Sequence, residues 1–324
     1  IDFLEEHKDG PPWLCHASFI KPHWPYIVPA PYHDMYGHNQ IQPVNRDTSE
    51  REDPHPVYAQ FQNNAIGQAF SRDEVRETVI PAYMGLIKQC DDQLGVLLDY
   101  LETSGRMDDT MIVLTSDHGD YLGDHWLGEK DLFHEPSVKV PLIIYDPDAA
   151  TTRGTTVEAL IEAIDLAPTF VEALGASVPE NILEGGSLLP FLRGEHPDAW
   201  RKFAISEYDY SATPMCANLG LKPKDARLFM VATDRYTFMH AEGGFCPMLF
   251  DRQVDPDELT DLGQSEAHTD VVAEMYDHLA TWGRRMSQRT TTSDAEIEAR
   301  RGGPENVGMF IGAFDESEFA TKFT

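Results

Sequence analysis

Thr110-Met111-Ile112-Val113-Leu114-Thr115 runs straight into Ser116-Asp117-His118-Gly119-Asp120. The first six residues are β-prone and carry no polar alternation, the pattern of a strand covered on both faces in a parallel sheet. Upstream, Tyr83, Ile87, Leu94, Leu97, Leu98 and Leu101 recur at three- and four-residue spacing after Asp73, and Gly105 stands where a helix would stop. Downstream come a second apolar run, Val140 to Tyr145, and a helix expected after Asp165 and closed by Gly175. Helix followed by strand, repeated, predicts an α/β class with a largely parallel sheet flanked by helices.

Working outward, Trp13 to Ile20 reads as a buried strand, and the Pro- and aromatic-rich stretch from Lys21 to Tyr36 as a loop leaving its end. Residues 40–68 read as an irregular polar excursion. Beyond about Ala199 the runs shorten: Phe203 to Ser206, Leu228 to Ala232, Tyr236 to His240 and Met248 to Phe250, the spacing of a small antiparallel sheet. A helix from about Thr269 to Arg285 is expected to pack on it. The predicted organisation is an α/β part over residues 1–198, a small α+β part over 199–300 and a Gly-containing arm over 301–324.

Charge narrows the partners. Asp and Glu number 55 against 25 Lys and Arg, a formal charge of −30, and a field of that sign repels nucleic-acid backbones, so no nucleic-acid partner is expected. No apolar run approaches the roughly 20 residues of a membrane-spanning helix, so no membrane partner is expected. Cys15, Cys90, Cys216 and Cys246 are scattered and fit neither a CxxC nor a zinc spacing, and they read as reduced thiols. The expected compartment is the cytoplasm. The first residues, Ile1-Asp2-Phe3-Leu4-Glu5-Glu6, have no signal-peptide architecture and read as an internal cut in a longer protein.

Asp117 and His118 sit where open α/β sheets place ligands, just outside a strand's carboxyl end. A carboxylate beside an imidazole can ligate one divalent cation, with Gly119 letting the chain turn beneath it. The plain alternative is that Asp117 caps a helix and His118 is a hydrogen-bonded surface residue. Oxygen and nitrogen donors admit Mn²⁺, Ca²⁺, Mg²⁺ or Zn²⁺, with Mn²⁺ or Ca²⁺ the first expectation.

More of the sequence bears on that choice: Leu122-Gly123-Asp124-His125, Lys130, and Glu135 through Ile144 with its Val140-Pro141-Leu142-Ile143 core. To these are added Ser18-Phe19-Ile20-Lys21-Pro22-His23, Pro29-Ala30-Pro31-Tyr32-His33, Ile164-Asp165-Leu166-Ala167-Pro168-Thr169 and Ser187-Leu188-Leu189-Pro190-Phe191-Leu192. Together they resemble the sulfatase family of the alkaline phosphatase superfamily, and within it the phosphonate monoester hydrolases and arylsulfatases. The resemblance implies an alkaline phosphatase-like fold and hydrolysis of a small sulfate, phosphonate or phosphate ester. It also implies a metal held by Asp117 and His118, a Lys130 that neutralises substrate and leaving-group oxygens, and a His23 that assists the leaving oxygen. His16, His33 and His125 lie close enough in sequence to compete with His23 for that role. The apolar residues of the arm, Val307 to Gly312 with Phe314, resemble the C-terminal arms of oligomeric relatives, so a homo-oligomer is expected.

The sequence also departs from the family. The family's nucleophile is a formylglycine made from Cys or Ser in a [Cys/Ser]-x-[Pro/Ala]-x-Arg motif, and no residue here meets it: Cys15 has Ala17 but Phe19 where Arg is required. The metal-binding Asp of the family's first strand has no counterpart either. The resemblance therefore implies the C-terminal part of the fold, inactive alone, with formylglycine expected in a preceding segment. The rival reading is a non-catalytic remnant or regulatory subunit of the same fold.

Overall fold

The computed structural model describes residues 1–285 and 292–300. The segment assigned above to a C-terminal arm, 301–324, lies outside them. The helices are α1 (Asp2–Glu6), α2 (Pro56–Gln62), α3 (Ala65–Phe70), α4 (Asp73–Thr103), α5 (Glu135–Val138), α6 (Leu166–Ala173), α7 (Leu189–Leu192), α8 (Pro214–Asn218), α9 (Thr269–Arg284) and α10 (Asp294–Arg300). The strands are β1 (Ile112–Thr115), β2 (Leu142–Tyr145), β3 (Ala204–Asp209), β4 (Arg227–Ala232), β5 (Tyr236–Ala241) and β6 (Met248–Asp251). No described helix is long and apolar enough to cross a membrane.

Pairing corrects one expectation. β1 and β2 run antiparallel, with Thr115 opposite Leu142 and Ile112 opposite Tyr145. A parallel pair needs a crossover that carries the chain back to the far end of the first strand. Residues 116–141 make no such return: they stay at the carboxyl end of β1, folded into tight turns and α5, so β2 can only start there. Every pairing among the described strands is antiparallel, including the four-stranded sheet in the order β3-β4-β5-β6.

A second correction concerns Trp13 to Ile20. No strand forms there, and Leu14, Phe19 and Ile20 are 63%, 49% and 80% exposed. An apolar run becomes a strand only when another strand takes its backbone groups, and none among the described residues lies beside it.

The long helix α4 begins and ends close to its sequence signals, with Gly105 at φ +74° just beyond. Of the predicted stripe, Leu101 is buried and Tyr83, Leu94, Leu97 and Leu98 are half-buried, while Ile87 is 46% exposed and its neighbour Leu86 is enclosed instead.

The four-stranded sheet holds the core. Alternation along β4, β5 and β6 sends Leu228, Met230, Ala232, Met239, Ala241, Met248 and Phe250 to one face, where they meet Val57, Tyr58 and Phe61 of α2 and Tyr121, Leu127, Leu132 and Phe133. Val231, Phe238 and Leu249 point the other way, onto Met275 of α9. Burying a side chain such as Phe238 contributes roughly 1.5–3 kcal/mol. The segment that follows the Asp117-His118 pair is thus moored to this sheet through Tyr121, Leu127, Leu132 and Phe133.

Candidate active site

The chain after β1 folds back on itself within a few residues. Tyr121 N–H donates to the Glu129 carbonyl at 2.8 Å and Gly123 N–H to the Leu127 carbonyl at 2.8 Å, so residues 121–129 close a compact loop. Gly119 N–H donates to the Ser137 carbonyl at 2.8 Å. A Cβ on Gly119 would lie 1.9 Å from the Pro136 carbonyl oxygen, which only glycine permits. Gly123 has φ +107°, and Arg76 of α4 passes beneath it, donating from Nε to the Leu122 carbonyl at 3.2 Å. The returning chain lays Lys130 beside His118, twelve residues earlier in the chain.

Lys130 Nζ lies 3.0 Å from His118 Nε2 and 3.2 Å from His23 Nε2. Each imidazole turns Nδ1 to a main-chain carbonyl, His118 to Gly119 at 2.7 Å and His23 to Trp24 at 2.8 Å. A carbonyl accepts only, so Nδ1 carries the hydrogen in both rings and each Nε2 offers its lone pair to the Lys130 ammonium. The two rings meet edge to face at 5.8 Å. Asp117 completes the group with Oδ2 3.6 Å from His118 Nε2, its side chain 86% exposed. Thus three of the four residues singled out from sequence, His23, His118 and Lys130, share hydrogen bonds, and Asp117 stands at their open side.

The competing histidines lie elsewhere. His16 and His33 are exposed. His125 is fully buried, with Nδ1 2.7 Å from Glu50 Oε1, and stacks on His134 with centroids 3.7 Å apart.

Around Lys130 is a set of groups to which the sequence reading assigned no role. Asp120 accepts from Tyr26 Oη at 2.7 Å and from Leu122 N–H at 3.1 Å. Tyr208, on β3, hydrogen-bonds Asp131. Burial pushes up the carboxyls of Asp120, Glu129 and Asp131, and at Glu129 the neighbouring Asp120 and Asp131 add to it. Glu129 and Asp131, on either side of Lys130, have φ of +58° and +90°. Non-glycine residues held in that region cost of order 1–3 kcal/mol each and cluster at functional sites. Asp120 lies inside the quoted Ser116 to Asp120 motif and carried that much signal. Tyr208 carried none, because only the register of β3 brings it there.

A metal can be tested against these donors. One carboxylate and one imidazole on the same edge suit an oxygen- and nitrogen-binding cation. They are two donors where about four to eight are required. No cluster of three His, Cys, Asp or Glu suited to a metal exists among the described residues. Ligation through His118 Nε2 would also displace its bond from Lys130. The donors fit in kind and make up part of a coordination shell.

The comparisons with known proteins agree with the motif reading. The family model for sulfatases matches residues 1–176. The chain belongs to the sulfatase family. A second model, for the C-terminal region of N-sulphoglucosamine sulphohydrolase, matches residues 123–285. Among relatives, a multifunctional alkaline phosphatase superfamily protein of Trinickia caryophylli is 32% identical over 301 residues, covering 88% of this chain and 58% of its own length. An arylsulfatase of Clostridium perfringens is 28% identical over 276 residues, covering 84% of this chain and 53% of its own. The crystal structure of the phosphonate monoester hydrolase of Agrobacterium radiobacter superposes with a TM-score of 0.80 at 29% identity, covering 91% of this chain and 62% of that one. The sulfatase family chain described here therefore spans little more than half the length of the curated relatives that it matches.

Proposed function

We propose that this chain supplies the leaving-group side and part of the metal site of an active centre that hydrolyses sulfate esters or phosphonate and phosphate esters. The observation that carries the reading is the Lys130 ammonium placed between the Nε2 atoms of His118 and His23 at 3.0 and 3.2 Å. Within the sulfatase family, Asp117 and His118 would hold a divalent cation, Mn²⁺ or Ca²⁺, which when bound supplies Lewis acidity toward an oxygen of the ester.

The chain's own residues do the rest. Lys130 meets the negative charge that grows on the ester oxygens, from a fixed position that needs no rearrangement as the bond breaks. His23, locked by Trp24 with Nε2 toward Lys130, forms with that ammonium a two-member proton store. A departing alkoxide takes its proton from this pair. Asp117, largely exposed and without a bond to Lys130, keeps its carboxylate free for a cation.

No Cys or Ser among the 324 residues stands in the formylglycine motif. The nucleophile of this reading is a formylglycine outside them, and turnover by this chain alone is not expected. The test compares this polypeptide with the product of the full reading frame, with Mn²⁺, on an aryl sulfate and an aryl phosphonate monoester. Turnover is expected from the longer protein and not from the shorter. Robust turnover by the 324 residues would refute the missing nucleophile, and a longer protein inert toward both ester classes would refute the hydrolase. The same reading makes residues 301–324 an oligomerisation arm, so deletion after Arg301 should lower the mass in solution.

A further inference from the structure

Two separate loops must meet for His23 to reach Lys130. His23 lies on the Pro-rich loop and Lys130 107 residues later, on the loop after β1. The direct contact between them is a single hydrogen bond from an ammonium, too little by itself to hold two loops in register. Three residues beyond His23 and two beyond His118, a second contact joins the same loops: Tyr26 Oη donates to Asp120 Oδ2 at 2.7 Å.

Both ends of that contact are fixed. The Tyr26 ring is wedged edge-on against Phe70 of α3 at 6.2 Å and Tyr83 of α4 at 6.3 Å. Asp120 takes Leu122 N–H on Oδ1 at 3.1 Å and a further backbone bond from Glu129. Those two residues mark the start and end of the 121–129 loop, so one carboxylate ties the base of the loop that ends in Lys130. Asp120 accepts from all three partners, which a carboxylate does with no donor of its own to place.

We propose that Asp120 is a positioning residue that, through Tyr26, holds His23 on Lys130 while leaving the His118 contact to the loop itself. The inference rests on the proposed roles of His23 and Lys130, and its test is structural, so it can stand or fall apart from them. It separates two contacts that look alike. The Lys130–His118 bond is local, within one loop, and needs no help from Tyr26. The Lys130–His23 bond is between loops and depends on the clamp.

The experiment labels the protein with ¹⁵N-histidine and follows the Nε2 resonances of His23 and His118, assigned with His23→Asn and His118→Asn. In Tyr26→Phe, which keeps the ring and removes the donor, the His23 Nε2 signal should move toward that of an unbonded imidazole nitrogen. The His118 signal should stay in place. Tyr26→Leu, which removes the donor together with the ring, serves as a second variant and should give the same selective shift. A folded Tyr26→Phe protein with an unmoved His23 signal would overturn the proposal, as would equal movement of both histidines, which marks general loosening. If His23 detaches and turnover of the longer protein is unchanged, the clamp stands and the catalytic role given to His23 fails.

Discussion

The two sheets divide the labour of this molecule unequally. β1 and β2 are four residues each and only partly covered, with Ile143 64% exposed, yet the candidate chemistry hangs from the end of β1. The β3–β6 sheet is covered on both faces, every residue of β6 is buried, and its described role is packing, apart from Tyr208 reaching Asp131. The sheet that bears the site does not hold it steady. The steadiness comes from Tyr121, Leu127, Leu132 and Phe133, which pin the site loop to the larger sheet. Chemistry and stability are therefore separable by mutation, and each test below pulls on one of them.

The largest expected effect is on chemistry. Lys130→Ala removes the one cation shared by both imidazoles and should lower kcat/KM of the full-length protein by about 10²–10⁴-fold. Its urea midpoint should hardly move, because Lys130 contributes no apolar core contact. A loss of stability comparable to the loss of rate would show that the division between the sheets is wrong. On the other sheet, Phe238→Ala opens a cavity between β5 and α9 and should cost about 3–5 kcal/mol in urea unfolding. With that variant kept folded at low temperature, the contacts of Lys130 should persist.

How much of this was legible follows from where the information lies. The Asp117-His118 pair, Lys130 and His23 could be named because their signal is a motif of fixed spacing, and the four short strands from residue 203 onward showed clear punctuation. The direction of β2 could not be read, since a strand's residues state that it is apolar and not which end its partner presents. Trp13 to Ile20 misled for the same reason: apolar β-prone residues declare a preference, and the backbone partner that realises it is not encoded in the run. Tyr26, Asp131 and Tyr208 were missed because a hydrogen bond across 77 to 94 positions, as in Tyr208 to Asp131 and Tyr26 to Asp120, leaves no local periodicity.

A smaller effect sharpens the comparison through pH. His55 accepts the Val57 N–H of α2 on Nδ1 at 3.3 Å and faces the Cys246 carbonyl with Nε2 at 3.1 Å, linking α2 to the sheet's periphery. Burial brings its pKa down to about 4, against about 6.5 in an unfolded chain. The unfolded state therefore takes the proton first, and stability falls as pH drops from about 6.5 to about 4, with no contribution above that window. His55→Gln should lack this decline, a difference of about 1 kcal/mol at pH 4 after allowing for the ring's partial exposure. Urea midpoints of both proteins across that range measure it, and parallel curves would remove His55 from the account.

The smallest expected effect bears hardest on the exposed sheet. Ile143 pairs with Leu114 across β1 and β2 and points outward, so Ile143→Thr, which keeps the β-branch, should change stability by no more than about 0.5 kcal/mol. The same substitution in the product of the full reading frame reports on the face that Ile143 shares. An unchanged cost means the face stays in water there too. A cost of about 1–3 kcal/mol, the penalty for setting a hydroxyl against a covered apolar surface, means that other residues pack on β2. In that case the apparent weakness of this sheet belongs to these 324 residues in isolation, and the site would be held from both sides.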